Sequence, residues 1–142
     1  MSNAVVLAAH GRLAEGVQSG LNLIVGPMEN LRVVNFVEGD TYDTIDKGLT
    51  DAYESLSSYN NILFITDLQG GTPFNRSVML FADKDNVRVL SGLNFGLAYQ
   101  ALISETADIN EYVNEVLETG RESINVYQKP AEKEDDFEGD GI

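Results

Sequence analysis

The sequence of 142 residues contains no cysteine, no tryptophan and a single histidine. Without cysteine there is no disulfide, no thiolate nucleophile and no sulfur-ligated zinc, and one imidazole per chain excludes a multi-histidine metal site. Any metal would be held mainly by oxygen. Basic residues number 9 against 23 acidic, a formal net charge of −14, which repels phosphate backbones and anionic membrane surfaces. Nucleic acid is therefore a poor partner. No apolar run approaches the ~18 to 20 residues that a bilayer span requires. The start, MSNAVVLAAHGR, lacks the basic, apolar and cleavage regions of a secretory signal, so mature cytoplasmic sequence is expected. Walker (G-x-x-x-x-G-K-[ST]), dinucleotide (G-x-G-x-x-G) and serine-elbow (G-x-S-x-G) motifs are all missing. Nucleotide binding and hydrolase-triad chemistry have no support.

What the chain does contain is alternation. Apolar runs of about five residues are separated by stretches of helical period, the pattern of parallel strands joined by crossover helices. An α/β fold follows, a doubly wound, mainly parallel sheet with helices on both faces. Ala4 to Ala9 reads as a central strand, followed by a helical stripe of Leu13, Val17, Leu21 and Ile24 that Gly26 and Pro27 close. Leu31 to Val37 is a second strand, and Ile45, Leu49, Ala52 or Tyr53, and Leu56 mark the next helix. Asn61 to Thr66 is a third strand, ending at Asp67. Thr72 and Pro73 suit the N-cap and first position of a helix to about Ala82, and Val87 to Leu90 is a fourth strand. A short helix is expected from about Leu97 to Ser104. Asp108 and Glu111 resemble a capping box opening a last helix that ends near Gly120. In SINVY, Ile124 and Val126 alternate with polar neighbours, which fits either an edge strand or an extension of that helix. After Tyr127, QKPAEKEDDFEGDGI holds six acidic residues and two lysines, −4 of the total −14, leaving −10 on the body. The expected organisation is one folded domain, residues 1–127, and an acidic flexible tail, residues 128–142.

His10 stands at the carboxyl end of the first strand, next to Gly11, and Asp67 at the carboxyl end of the third. Ligands bind at this edge of open α/β sheets. If the two strands are neighbours, Asp67 can accept a bond from one imidazole nitrogen, fix the tautomer and leave the other nitrogen as a nucleophile. The plainer alternative is a histidine merely satisfied at a strand end. In DLQGGTPFN, Gly70 and Gly71 allow close backbone approach, and the helix start at Thr72 favours an anion such as a phosphoryl group. An ordinary capped strand-to-helix turn has the same look. Asp40, Asp43 and Asp46 read better as a turn and a polar first helical turn than as a cation site. Leu68, Phe74, Leu93 and Phe95 lie on or beside the carboxyl-edge loops, where apolar side chains left exposed would receive a protein partner.

VVLAAHGRLAEG, FVEGD, FITDLQGGTPFN and LSGLNFGLAYQAL, in this order and spacing, resemble the enzyme IIA component of the mannose-fructose-sorbose family of the sugar phosphotransferase system, over residues 4 to 127. The strand-end histidine together with the D-x-x-G-G-[ST]-P-x-N loop is the specific part. The ending DDFEGDGI is similar to that of members assigned to N-acetylgalactosamine or related amino sugars. The resemblance implies a phosphocarrier. HPr, charged from phosphoenolpyruvate through enzyme I, passes a phosphoryl group to a histidine of IIA. That histidine passes it to IIB, which phosphorylates sugar entering through a membrane IIC/IID complex. Carried onto this chain, the acceptor matches His10 through Nε2, the orienting carboxylate Asp67, and the phosphate-cradling loop Gly71 and Thr72, to which Gly11 and Gly70 are added as glycines that clear space for the phosphoryl group. Partner contacts fall on Leu68, Gln69, Phe74, Asn94 and Phe95, with an aromatic in some relatives where this chain has Gln69. No cofactor and no metal are implied. The family forms homodimers that exchange a C-terminal strand, for which SINVY would serve as an antiparallel edge strand. With no IIB domain following, the next acceptor is expected to be a separate protein. Competing readings are a histidine-phosphorylated regulatory or binding module, and a dihydroxyacetone kinase phosphotransfer subunit, against which GGTPFN speaks. A flavodoxin-like mononucleotide binder is disfavoured by the missing tryptophans and the acidic charge.

Overall fold

The computed structural model describes residues 3–131. Four strands, β1 (Asn3–His10), β2 (Leu31–Phe36), β3 (Asn61–Thr66) and β4 (Val87–Leu90), alternate with helices α1 (Leu13–Val25), α2 (Tyr42–Ser55) and α3 (Thr72–Phe81). Two more helices, α4 (Phe95–Ile103) and α5 (Ile109–Glu122), follow β4. The sheet order is β2-β1-β3-β4 and every pairing is parallel. From β1 the chain moves outward to β2, then returns to the other side of β1 for β3. The strand order therefore reverses between β1 and β3.

Side-chain alternation explains why both faces of β1 must be covered. Val5, Leu7 and Ala9 meet α1, α4 and α5 through Ala14, Leu21, Leu97, Ala101, Tyr112 and Val116. On the other face Ala4, Val6 and Ala8 meet α2 and α3 through Ile45, Leu49, Ala52, Leu56 and Phe81. Phe81 stacks on Phe64 at 4.7 Å and on Tyr53 at 4.8 Å between ring centroids, each pair contributing about 0.5–1.5 kcal/mol beyond area burial. The expectation of Ala52 or Tyr53 resolves into both, Ala52 buried in the α2 stripe and Tyr53 half-buried against Phe81.

At the amino edge a polar clasp ties the α4–α5 connection to the sheet. Asn3 Nδ2 donates to the carbonyls of Ser104 and Thr106, and Asn61 Nδ2 to Asn3 Oδ1 and the Ala107 carbonyl, all within 2.9–3.0 Å. Glu115 accepts from Thr106, Ser104 and Gln100, and these bonds, Thr106 foremost, hold its carboxyl below the usual carboxylate range. The carboxyl edge is left to the loops.

Several boundaries differ from the sequence reading. The buried line of α1 is Ala14 and Leu21, whereas Leu13 and Ile24 lie on its margin, 46% and 42% exposed. The N-cap of α3 is Gly71, not Thr72, because Gly71 takes the extended cap conformation (φ −76°, ψ 169°) and puts Thr72 and Pro73 inside the first turn. Helix α4 starts at Phe95 because the Asn94 side chain caps the Leu97 amide at 2.9 Å. Asp108 caps α5 through the amides of Asn110 and Glu111, and the helix runs on to Glu122. A reciprocal capping box forms instead on α2, between Thr41 and Thr44. Residues 124–127 enter no strand. Neither sheet edge within the chain takes them, so the antiparallel edge strand is absent from this chain's own sheet and Ile124, Val126 and Tyr127 stand 74%, 73% and 81% exposed. The acidic tail read at 128–142 lies, from residue 132 onward, outside the described residues.

Candidate active site

β1 and β3 are neighbours, with Ala8 opposite Thr66, so the residues that follow come together at the reversal point. His10 is the last residue of β1 rather than the first after it. Its Nδ1 lies 2.9 Å from Asp67 Oδ2, and its backbone N–H donates to the same oxygen at 3.1 Å. A carboxylate oxygen accepting two bonds assigns the imidazole proton to Nδ1. Nε2 then keeps its lone pair. The His10 side chain is 44% exposed and that of Asp67 16%, so the ring reaches solvent while its orienting partner is shielded. The second carboxylate oxygen, Asp67 Oδ1, is buried without a bond among the described residues. Phe36 meets the ring edge-on at 6.0 Å between centroids, bracing it from the β2 side.

The glycine loop closes the other side of the ring. A Cβ built on Gly71 would stand 2.7 Å from His10 Cε1 and 3.4 Å from Nε2, so this backbone touches the ring edge that carries the free nitrogen. Gly11 and Gly70 adopt φ of +61° and +86°, which glycine tolerates best. The Gly11 amide donates to the Phe36 carbonyl at 2.8 Å and the Gly71 amide to the Leu68 carbonyl at 3.0 Å. These two glycines therefore supply space, not free donors. Free donors come in the first turn of α3, which follows directly. Helix α3 has no side-chain cap, and the amides of Thr72 and Phe74 have no acceptor among the described residues. Helix α1 likewise has no side-chain cap, whereas α2, α4 and α5 are capped by Thr41, Asn94 and Asp108. An uncapped helix start beside a nucleophilic nitrogen suits an anionic group.

The match to known proteins agrees with this geometry. Residues 4–117 match the family model of the phosphotransferase system fructose IIA component. The chain belongs to this family. It is 30% identical over 136 residues to the mannose-specific EIIAB component of Escherichia coli K12, covering 94% of this chain and 42% of that protein. The chain thus spans less than half the length of that curated relative. The solved structure of phosphotransferase component EIIA from Streptococcus agalactiae is 31% identical, covers 87% of this chain and 95% of that one, and has a TM-score of 0.77. The mannose/sorbose-specific IIA subunit from Enterococcus faecalis is 25% identical, covers 94% and 100%, and has a TM-score of 0.82.

Of the residues expected at the partner surface of this IIA component, Leu68 is 58% and Phe95 38% exposed, and Gln69 is exposed as well. Phe74 is half-buried on α3. Asn94 is occupied internally, its Oδ1 accepting from Leu97 and its Nδ2 donating to the Gly120 carbonyl. Asp40 Oδ2 accepts the Val37 amide at 2.8 Å, and Asp46 grips Arg76 through two bonds of 2.8 and 2.9 Å, joining α2 to α3. Both carboxylates thus have structural work. Sequence reasoning did not find the chain of Arg12, Glu15 and Asn35 at the start of α1. There Glu15 Oε1 accepts from Asn35 at 3.0 Å and from Arg12 at 2.9 Å, and these bonds hold its carboxyl below the ordinary range. The i,i+3 spacing of Arg12 and Glu15 was the available signal. A cavity of about 480 Å³, lined by Asn3, Asn30, Tyr59, Leu102 and others, opens at the amino edge, away from His10. Among the described residues no helix is long and apolar enough to cross a membrane.

Proposed function

We propose that His10 carries the phosphoryl group of this IIA component, taking it on Nε2 from phospho-HPr and giving it to a IIB protein for sugar uptake and phosphorylation. The observation that carries this reading is the 2.9 Å contact of Nδ1 with Asp67, which leaves Nε2 as the nucleophile on the side of Gly71 and the α3 start. The Nε2 lone pair forms the N–P bond as the donor's bond to phosphorus breaks. The Nδ1 proton stays in its bond to Asp67, whose charge stabilises the cationic ring, and the amides of Thr72 and Phe74 face the equatorial oxygens. Onward transfer is the same step reversed with a new acceptor. An exposed ring suits a group that must be both received and handed on, and Gly11, Gly70 and Gly71 keep the approach clear. We place Leu68, Gln69, Phe74 and Phe95 at the rim that both partners meet, and the exchange in the cytoplasm. The family match and the GGTPFN run favour this over a dihydroxyacetone kinase subunit.

Asp67→Ala is expected to be phosphorylated, but about 10- to 100-fold more slowly, the worth of one hydrogen bond to a charged group. Timed intact-mass measurement with phosphoenolpyruvate, enzyme I and HPr checks this, and a wild-type rate would contradict the orienting role.

The functional unit is proposed to be a homodimer in which residues 124–127 pair with an outer sheet edge of a second copy. Ile124, Val126 and Tyr127 are exposed, and among the described residues β2 and β4 each leave one edge unpaired. Sedimentation equilibrium should give twice the chain mass for the wild type and a shift toward monomer for Val126→Pro. A wild-type monomer at tens of micromolar would end the proposal.

A further inference from the structure

Between Asp67 and α3 lies one peptide unit, Gly70–Gly71, whose two flanking residues both lack Cβ and so leave it free to rotate as a plate. It is held at both poles. The Gly71 N–H donates to the Leu68 carbonyl at 3.0 Å, and the Gly70 carbonyl accepts from Asn75 Nδ2 at 3.0 Å. Asn75 itself is anchored, since its backbone N–H makes the first bond of α3, 2.8 Å to the Gly71 carbonyl. The side chain is exposed and its amide bonds to no other group among the described residues. Burial therefore does not account for it.

This plate lies against the catalytic edge of His10, because the position of a Gly71 Cβ is 2.7 Å from Cε1 and 3.4 Å from Nε2. Rotation about the Gly70–Gly71 axis would break both bonds and shift Gly71 from its seat against the ring edge that carries Nε2. A shifted Gly71 also strains the start of α3 and moves the Thr72 amide from the position in which it can meet a phosphoryl oxygen on Nε2. We propose that Asn75 is a positioning residue for phosphoryl transfer, locking the Gly70 carbonyl to α3 so that the oxygens on His10 meet amide donors. This rests on His10 being the phosphoryl acceptor and adds a residue that never touches the phosphoryl group. The role requires the amide N–H of Asn75, its reach and its place one turn into α3.

The test is single-turnover phosphorylation of wild type, Asn75→Ala and Asn75→Asp over a range of phospho-HPr concentrations, at a temperature well below each variant's melting point. Asn75→Ala should lower the maximal rate about tenfold, the worth of one neutral hydrogen bond, with the half-saturating HPr concentration unchanged. Asn75→Asp should be slower still, since a carboxylate neither donates to Gly70 nor tolerates a nearby dianion. A residue that only stabilised the helix would lower the melting temperature without this ordering of maximal rates. Maximal rates equal to wild type in both variants, or a rise in half-saturation alone, would overturn the assignment while leaving His10 as acceptor. A wild-type chain that takes up no phosphoryl group would instead remove the acceptor reading on which it rests.

Discussion

His10→Ala is expected to take up no phosphoryl group from phospho-HPr, under conditions in which the wild type gains one acid-labile group per chain. The loss should be complete rather than partial. His10 is the only histidine, and no cysteine is present to substitute as a nucleophile. The hydroxyl of Thr72, though near the loop, has no imidazole left to take its proton, and a carboxylate is too weak a base to activate an alcohol. Removing the ring exposes Asp67 but leaves β1 and β3 paired through Ala8 and Thr66. Circular dichroism and melting temperature should therefore stay close to wild type. Intact mass before and after mild acid is the check, and a phosphoryl group retained on the variant would place the acceptor elsewhere.

Gly71→Ala is expected to cut the rate of phosphorylation about 100-fold, the order of effect produced by displacing a reacting group by an ångström. The cause is contact and not backbone strain. Gly71 sits at φ −76° and ψ 169°, which any residue adopts. The new methyl would stand 2.7 Å from His10 Cε1, 3.3 Å from the Leu68 carbonyl oxygen and 3.4 Å from Nε2. The backbone cannot yield easily because the Gly71 amide is bonded to that same carbonyl, so the ring must turn, weakening its bond to Asp67 and covering the lone pair. Rapid-quench phosphorylation, with the melting temperature as a control, measures this. A wild-type rate would mean that Nε2 does not face the loop.

Much of this site was legible in the residues, and the parts that were not have identifiable physical reasons. A fully apolar run ending in His10 and another ending at Asp67 placed both side chains at one sheet edge, and the reversal of strand order between β1 and β3 brought them together. The helix start was misplaced by one residue because threonine is a good cap and glycine a poor predictor. Only the backbone reveals that Gly71 holds the cap position and leaves α3 open to an anion. The committed amides of Gly11 and Gly71 were equally invisible, since a sequence shows which residues have an N–H but not where it points. For α4, the Asn94 signal was present three residues before Leu97, but beside Gly92 an asparagine reads equally well as a loop residue. Residues 124–127 have the alternation of a strand, yet a strand exists only with a partner, and this chain's own sheet offers them none.

The central claim is that the phosphoryl group resides on Nε2 of His10 with the Nδ1 proton held by Asp67. Nitrogen-15 NMR of the phosphorylated chain tests it most directly, because a single histidine gives a single imidazole to assign. The account predicts phosphorus coupling on Nε2 and a proton retained on Nδ1, lost from its bonded position in Asp67→Ala. Phosphorus on Nδ1, or no phosphorus on the ring at all, would contradict it.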